Sequence, residues 1–310
     1  MSKPKVVFDD SRIIVAYRQG ANEKQVYYSI KARIRDLKKL DLATVNDAYL
    51  ERQIRELLDV GYVSRLLYIN LPRVYRVRIN ENNKPFKNTR QLWWPPPGSI
   101  KEIGRLNRIG ESVFYCSDSE DTAIIEKQPR ERDVLTVLEA ALIDPSKQAL
   151  VTELGVHEFS GKSNPKYGGT PPGSDLRLKQ FTKSEGISQT NPLLRDYLTK
   201  EFLKDVAPNK KHQYKTTIAI AHILINDPEI VNEEDGMPVP SIKIDGLSYP
   251  SIASEKLGAN FALRIEAADR LYKPVACTVY RVEKRKTATS YTVGTLMKSE
   301  SIQPNGTIDW

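Results

Sequence analysis

Cysteine is scarce, with two in 310 residues, and histidine and methionine appear only three times each. Cys116 and Cys277 both sit in apolar, strand-like runs. They are expected to fill a core as free thiols, which reads as a protein of the reducing cytoplasm. Neither they nor His157, His212 and His222 show metal-ligand spacing, so no zinc site is expected. No apolar run approaches the roughly 18 residues of a membrane span. The start, Met1 to Lys5, has no apolar stretch of the secretory kind. A G-x-S-x-G elbow is missing, which argues against a Ser–His–Asp hydrolase. There is no internal repeat, no zinc-finger spacing, no long arginine run and no RNA-binding aromatic signature.

What is present fits a globular chain, with 40% hydrophobic and 28% charged residues. Its length suits one large domain or two modest ones. The formal charge of +8 suits nucleic acid, an acidic protein or a phosphorylated small substrate. Because the basic residues are spread out, a lysine-rich solvated surface explains them equally well, and direct nucleic-acid binding is not the favoured reading.

Periodicity places a helix from Asn22 to about Leu40, with Val26, Ile30, Ile34 and Leu37 on one face and a capping box at Asn22 and Gln25. A second helix runs from Val45 to Val60 and stops at Gly61. The character changes at Leu71-Pro72. Arg73 to Ile79 alternates, with Tyr75, Val77 and Ile79 on one face and Arg76 and Arg78 on the other. Val113 to Cys116 reads as a short strand. Ser117 and Glu120 read as a box opening a helix through Glu126. Val134 to Leu142 fits strand or helix. Residues 155 to 190, with Gly168-Gly169-Thr170-Pro171-Pro172-Gly173, read as loop. Helices are expected at Leu193 to Val206 and Lys215 to Leu224. Strands are expected at Ile242 to Ser251, Ala276 to Val282 and Ser290 to Met297, with a hairpin at Asn305-Gly306.

Several residues carry chemistry. Arg105 follows Gly104 in a loop before a strand, where a guanidinium can hold a phosphate or carboxamide with fixed donors. Tyr115 lies in that strand and can stack on a flat heteroaromatic ring. Glu126 follows three apolar residues on the next helix. A carboxylate there can stabilise an oxocarbenium-like transition state or position an incoming water. Ser251 follows Tyr249-Pro250 and can hydrogen-bond a ribose or amide. Arg76, in mid-strand, suits a pyrophosphate if its face lines a groove. Each residue alone has an ordinary explanation as a core or surface side chain.

Together they resemble the RES domain over roughly residues 71 to 280. Tyr75-Arg76-Val77, Gly104-Arg105-Leu106-Asn107 with Gly110, Val113-Phe114-Tyr115, Thr122-Ala123-Ile124-Ile125-Glu126, Tyr249-Pro250-Ser251 and Asn260-Phe261-Ala262-Leu263 are similar to its motifs in order and spacing. Leu106 departs from the usual aromatic, and Arg108-Ile109 from common prolines. The resemblance implies an α+β fold, a bent mixed sheet with surrounding helices like that of ADP-ribosyltransferases. The helical module read at 1–70 and the loop-rich insertion at about 155–190 are extra to the minimal family domain, and the catalytic domain is placed at 71–310. The resemblance implies NAD as substrate, with no prosthetic group, and cleavage of the nicotinamide–ribose bond by a toxin whose partner is a cognate antitoxin; a homodimer is compatible. Arg105, Tyr115, Glu126 and Ser251 take the catalytic positions. Arg76, Asn107, Tyr249 and Asn260 take substrate-binding ones.

Two other readings stay open. One is a protein ADP-ribosyltransferase; Ile124, where an acceptor-binding carboxylate would stand two residues before Glu126, argues against transfer to arginine. The other is a non-enzymatic nucleic-acid-binding module.

Overall fold

The computed structural model describes residues 23–59, 62, 65–156, 190–226, 233–234, 237–238, 243–251, 253, 258–287 and 290–310. The chain divides into two units, Met1–Arg65 with Thr170–Ile244, and Leu66–Gly169 with Asp245–Trp310. The expected capping box at Asn22, the stop at Gly61, His157 and the Gly/Pro-rich stretch at 168–173 lie outside the described residues.

The first unit is helical. Helix α1 (Glu23–Leu37) buries Val26, Ile30, Ile34 and Leu37, the stripe that the periodicity predicts. Helix α2 (Asp47–Leu58) is capped by Asn46, whose side chain accepts from Tyr49 N–H (3.1 Å). It buries Leu50, Ile54, Leu57 and Leu58. Two further helices, α4 (Thr190–Phe202) and α5 (Lys215–Asn226), belong to the same unit. Lys215 Nζ reaches Val45 O at 2.9 Å and the Asp47 carboxylate at 3.0 Å, and Lys38 lies over the Tyr197 ring. A 3₁₀ stretch, Pro208–Tyr214, and the short pair β6 (Glu233–Glu234) and β7 (Met237–Pro238) complete the described part.

The second unit is built on a nine-stranded mixed sheet in the order β1-β5-β8-β9-β3-β2-β4-β10-β11. Its strands are β1 (Arg65–Ile69), β2 (Arg73–Ile79), β3 (Phe114–Ser117), β4 (Val134–Leu142), β5 (Ala149–Glu153), β8 (Gly246–Pro250), β9 (Ala259–Leu263), β10 (Tyr272–Arg285) and β11 (Tyr291–Ser299). The described helices here are α3 (Glu120–Lys127) and α6 (Ile265–Leu271). The α+β class is therefore as expected. Val134–Leu142 resolves as strand, because it lies between β2 and β10 and pairs with both. Strands β1, β5 and β9 and helix α6 are additions to the sequence reading. The box at Ser117 is a correction. Ser117 ends β3, and the helix is capped two residues later by Ser119, whose Oγ accepts from Thr122 N–H (3.2 Å).

One face of the sheet buries Phe114, Cys116, Phe261 and Leu263 with Val74, Val151 and α6 residues Ala267, Ala268 and Leu271; Trp93 and Trp94 pack against them. Each fully buried aromatic or leucine contributes roughly 1.5–3 kcal/mol of transfer free energy. Cys116 and Cys277 are free and buried, as expected. Burial pushes the Cys277 thiol up to about 12, so it is inert at neutral pH.

Asp245 fastens β5, β8 and α6. Its Oδ2 accepts from Leu150 N–H (2.9 Å), its Oδ1 pairs with Arg270, and its backbone O accepts from Arg264 N–H (2.9 Å). Replacing Asp245 with alanine strands a buried Leu150 N–H. The expected loss is about 3 kcal/mol of unfolding free energy, read by urea titration.

The seam of the sheet lies between β2 and β3. β2 pairs with β4 along its whole length, and β3 with β9 along its whole length. Between themselves β2 and β3 share one pair, Tyr75↔Ser117. The Arg76 guanidinium spans the gap beyond it, donating from Nη1 to Tyr115 O (2.9 Å).

Candidate active site

Register sets the site. Across β3, β9 and β8, Ser117 lies opposite Asn260 and Asn260 opposite Tyr249. One step along the same face, Tyr115 lies opposite Ala262 and Ala262 opposite Leu247. Tyr115, Ser117, Asn260 and Tyr249 thus share the face away from Phe114 and Phe261. Tyr75 lies on this face too, and packs with Ile124 of α3, Leu135, Val137 and Val282. Helix α3 therefore lies over the face that carries the polar row.

Tyr249 is 6% exposed and sits among the other candidates. Burial pushes its phenol well above the ordinary value. The Tyr115 phenol and the Glu126 carboxylate push it further, and the Arg105 guanidinium opposes them. The structure thereby brings Arg105, Tyr115, Glu126 and Tyr249 into one electrostatic neighbourhood. Tyr249 keeps its proton throughout the physiological range and serves there as a hydrogen-bond donor.

Glu126 is partly buried near the end of α3, yet its Oε1 is shut from solvent with no hydrogen-bond partner. A buried carboxylate oxygen without a donor is costly, and functional sites are where such costs persist. Thr122, one turn earlier on the same helix face, touches Gly258 so closely that a Cβ there would overlap Thr122 Oγ1. Gly258 O accepts from Ser251 N–H (2.9 Å), and Ser251 is fully buried. The Ser251 backbone is therefore tied to Gly258, which lies against Thr122 in the N-terminal turn of α3.

Asn260 Oδ1 accepts from Ser117 Oγ (2.7 Å), which leaves its amide nitrogen as the donor to offer. Asn107 is taken up within the protein. Its Oδ1 accepts from Tyr115 Oη (2.9 Å) and its Nδ2 donates to Arg108 O (3.0 Å). Leu106, the departure from the family's aromatic, is 3% exposed and anchors its loop from below.

Arg76 lies on the opposite side of β2 from Tyr75, over the Phe114 ring. Its bond to Tyr115 O makes it a staple across the seam. Burial, with Arg78 adding to it, pulls its guanidinium down to about 10. Its Nε is buried without a partner on the side of the sheet away from Tyr249 and Asn260, which argues against the expected contact with a pyrophosphate.

Sequence reasoning missed Gly258, took Ser117 for a helix cap, and named Gly104 and Thr122 only as parts of motifs, with no role of their own. Ser117 is two residues beyond Tyr115, so strand alternation places it on the same face. The weight given to Ile124 also falls away. Residues two apart on a helix point about 200° apart, and Ile124 is buried in the core while Thr122 shares Glu126's face. The missing carboxylate at 124 says nothing about the acceptor. Among the described residues no cluster of His, Cys, Asp and Glu could hold a metal ion, and no helix is long and apolar enough to cross a membrane.

A mixed, seamed sheet with a carboxylate, two tyrosines and an arginine gathered near one face defines an α+β protein with a polar site near the strand seam. Residues 73–283 match the RES domain, and the chain belongs to that family. At family level this is an NAD-acting enzymatic domain of toxin-like character. A comparison with curated proteins finds no match.

Proposed function

We infer that this protein cleaves NAD at the nicotinamide–ribose bond, as a glycohydrolase or phosphorylase. The observation that carries the reading is the buried, unpartnered Oε1 of Glu126 beside Tyr249 and Arg105. When the C1′–N bond breaks, its electron pair leaves on nicotinamide, which departs neutral, and positive charge develops on the ribose. A carboxylate held out of water stabilises that charge where it forms. Water or phosphate then bonds to C1′; with water, a proton is lost to Glu126 and on to solvent. Arg105 holds the nicotinamide side. Ser251 and the Asn260 amide donate to the ribose region, and Arg76, on the other side of the sheet, braces the strand that carries Tyr115. The basic balance of the chain attracts the negative pyrophosphate of the substrate.

In the cell we place this activity in the cytoplasm, as the toxin of a toxin–antitoxin or related defence pair, restrained by a partner protein that covers the pocket. The test is mass spectrometry of NAD incubated with the purified protein, with and without phosphate and with added protein acceptors. ADP-ribose or its 1-phosphate supports the reading and names the acceptor. A modified protein assigns it to the transferases instead. Intact NAD in every condition overturns it.

A further inference from the structure

The geometry points to Tyr115 as a positioning residue for Arg105, acting through a clasp with Asn107, its hydroxyl bonded to the loop. This rests on the proposed NAD reaction for its kinetic consequence but not for its structural one.

The clasp has four parts. Gly104 N–H donates to Asn107 O (3.0 Å) and closes a small loop with Arg105 and Leu106 inside it. Tyr115 Oη accepts from Leu106 N–H (2.8 Å) and donates to Asn107 Oδ1 (2.9 Å), so one hydroxyl grips both residues after Arg105. Gly104 lies against this grip. A Cβ there would overlap Asn107 Oδ1 and stand 3.4 Å from Tyr115 Oη. The strand end is held as firmly, because Tyr115 O accepts from Arg76 Nη1 across the seam (2.9 Å).

The consequence is a division of labour. With its oxygen occupied by Leu106 N–H and its proton by Asn107, the hydroxyl is committed to the loop. Arg105 is the residue between the two pinned ends, at Gly104 and at Leu106–Asn107. A loop so fixed leaves the Arg105 backbone little conformational freedom to lose on binding.

The test uses the full chain and two readouts. In hydrogen exchange, wild-type protein protects the Leu106 amide, and Tyr115→Phe exposes it while β4 and β10 stay protected. Unchanged Leu106 protection in Tyr115→Phe overturns the clasp, whatever the protein does to NAD. In steady-state kinetics with NAD, Tyr115→Phe raises KM about tenfold, the order of one lost hydrogen bond, and leaves kcat within about threefold. In an Arg105→Ala background the same change costs less than about threefold more in kcat/KM, because its effect already runs through Arg105. A hundredfold fall in kcat at unchanged KM, or full multiplication of the two losses, overturns the assignment. If Tyr115→Phe does not fold, Asn107→Leu carries the same readouts: it removes the acceptor for Tyr115 Oη and reproduces the high KM and the exposed amide, and wild-type values of both overturn the proposal. A wild type inert toward NAD removes the proposed function and leaves the exchange result to decide the clasp.

Discussion

Glu126→Gln lowers NAD turnover by at least about a hundredfold while the protein melts at the same temperature or higher. The two halves of this expectation share one cause. Glu126 Oε1 is buried with no donor, so the native fold carries a polar oxygen whose hydration it has removed and not replaced. Glutamine keeps the length and shape of the side chain and removes the charge. The folded state then loses an unfavourable burial, and the charge-stabilising group for the ribose cation is gone. Turnover is read as nicotinamide release, and stability by calorimetry on the same preparation. Undiminished turnover would remove Glu126 from the chemistry. A large fall in melting temperature would show that the carboxylate holds the fold, and would turn the activity loss into a structural effect.

Gly246→Val is expected to cost about 3 kcal/mol or more in stability, the upper range for forced overpacking. Gly246 opens β8 opposite Leu263 of β9. A Cβ at that point would overlap Ala262 O and stand 2.9 Å from Leu263 Cα, and neither is the yielding end of a flexible side chain. Relief requires the two strands to part. These strands carry Tyr249, at whose end Ser251 follows, and Asn260, so activity should fall along with stability. Gly98 supplies the control. Nothing lies within 4 Å of a Cβ there, and Gly98→Ala should leave the unfolding midpoint within error. Urea unfolding of the three proteins decides it. A midpoint for Gly246→Val near that of Gly98→Ala would show that the β8–β9 contact is looser than its spacing implies.

The sequence exposed those parts of the fold that repeat on themselves. The stripe of Val26, Ile30, Ile34 and Leu37 needs no knowledge of a partner to be read, and neither does the alternation from Arg73 to Ile79. Strand β9 gave no such signal, because both of its faces are buried and Ala259–Leu263 shows no alternation of polarity. Helix α6 has seven residues and no side-chain cap, which leaves little for periodicity to detect. The candidate residues were visible as motifs, but their neighbours were not. That Asn260 stands between Ser117 and Tyr249 is a matter of register between β3 and the neighbouring strands β8 and β9, which are far from it in the chain. The use of Asn107 within the clasp, and the orphaned oxygen of Glu126, arise only once those strands are in place.

The seam between β2 and β3 has one more consequence. A strand edge with open backbone groups invites other chains to pair with it, and proteins commonly defend such edges with charge, proline or a covering element. Here the sheet opens an edge inside itself, flanked by its own strands on both sides. Arg76 occupies the Tyr115 carbonyl on that edge, and the strands on either side shield it from a neighbouring sheet, so the gap carries less of the aggregation liability of an outer strand.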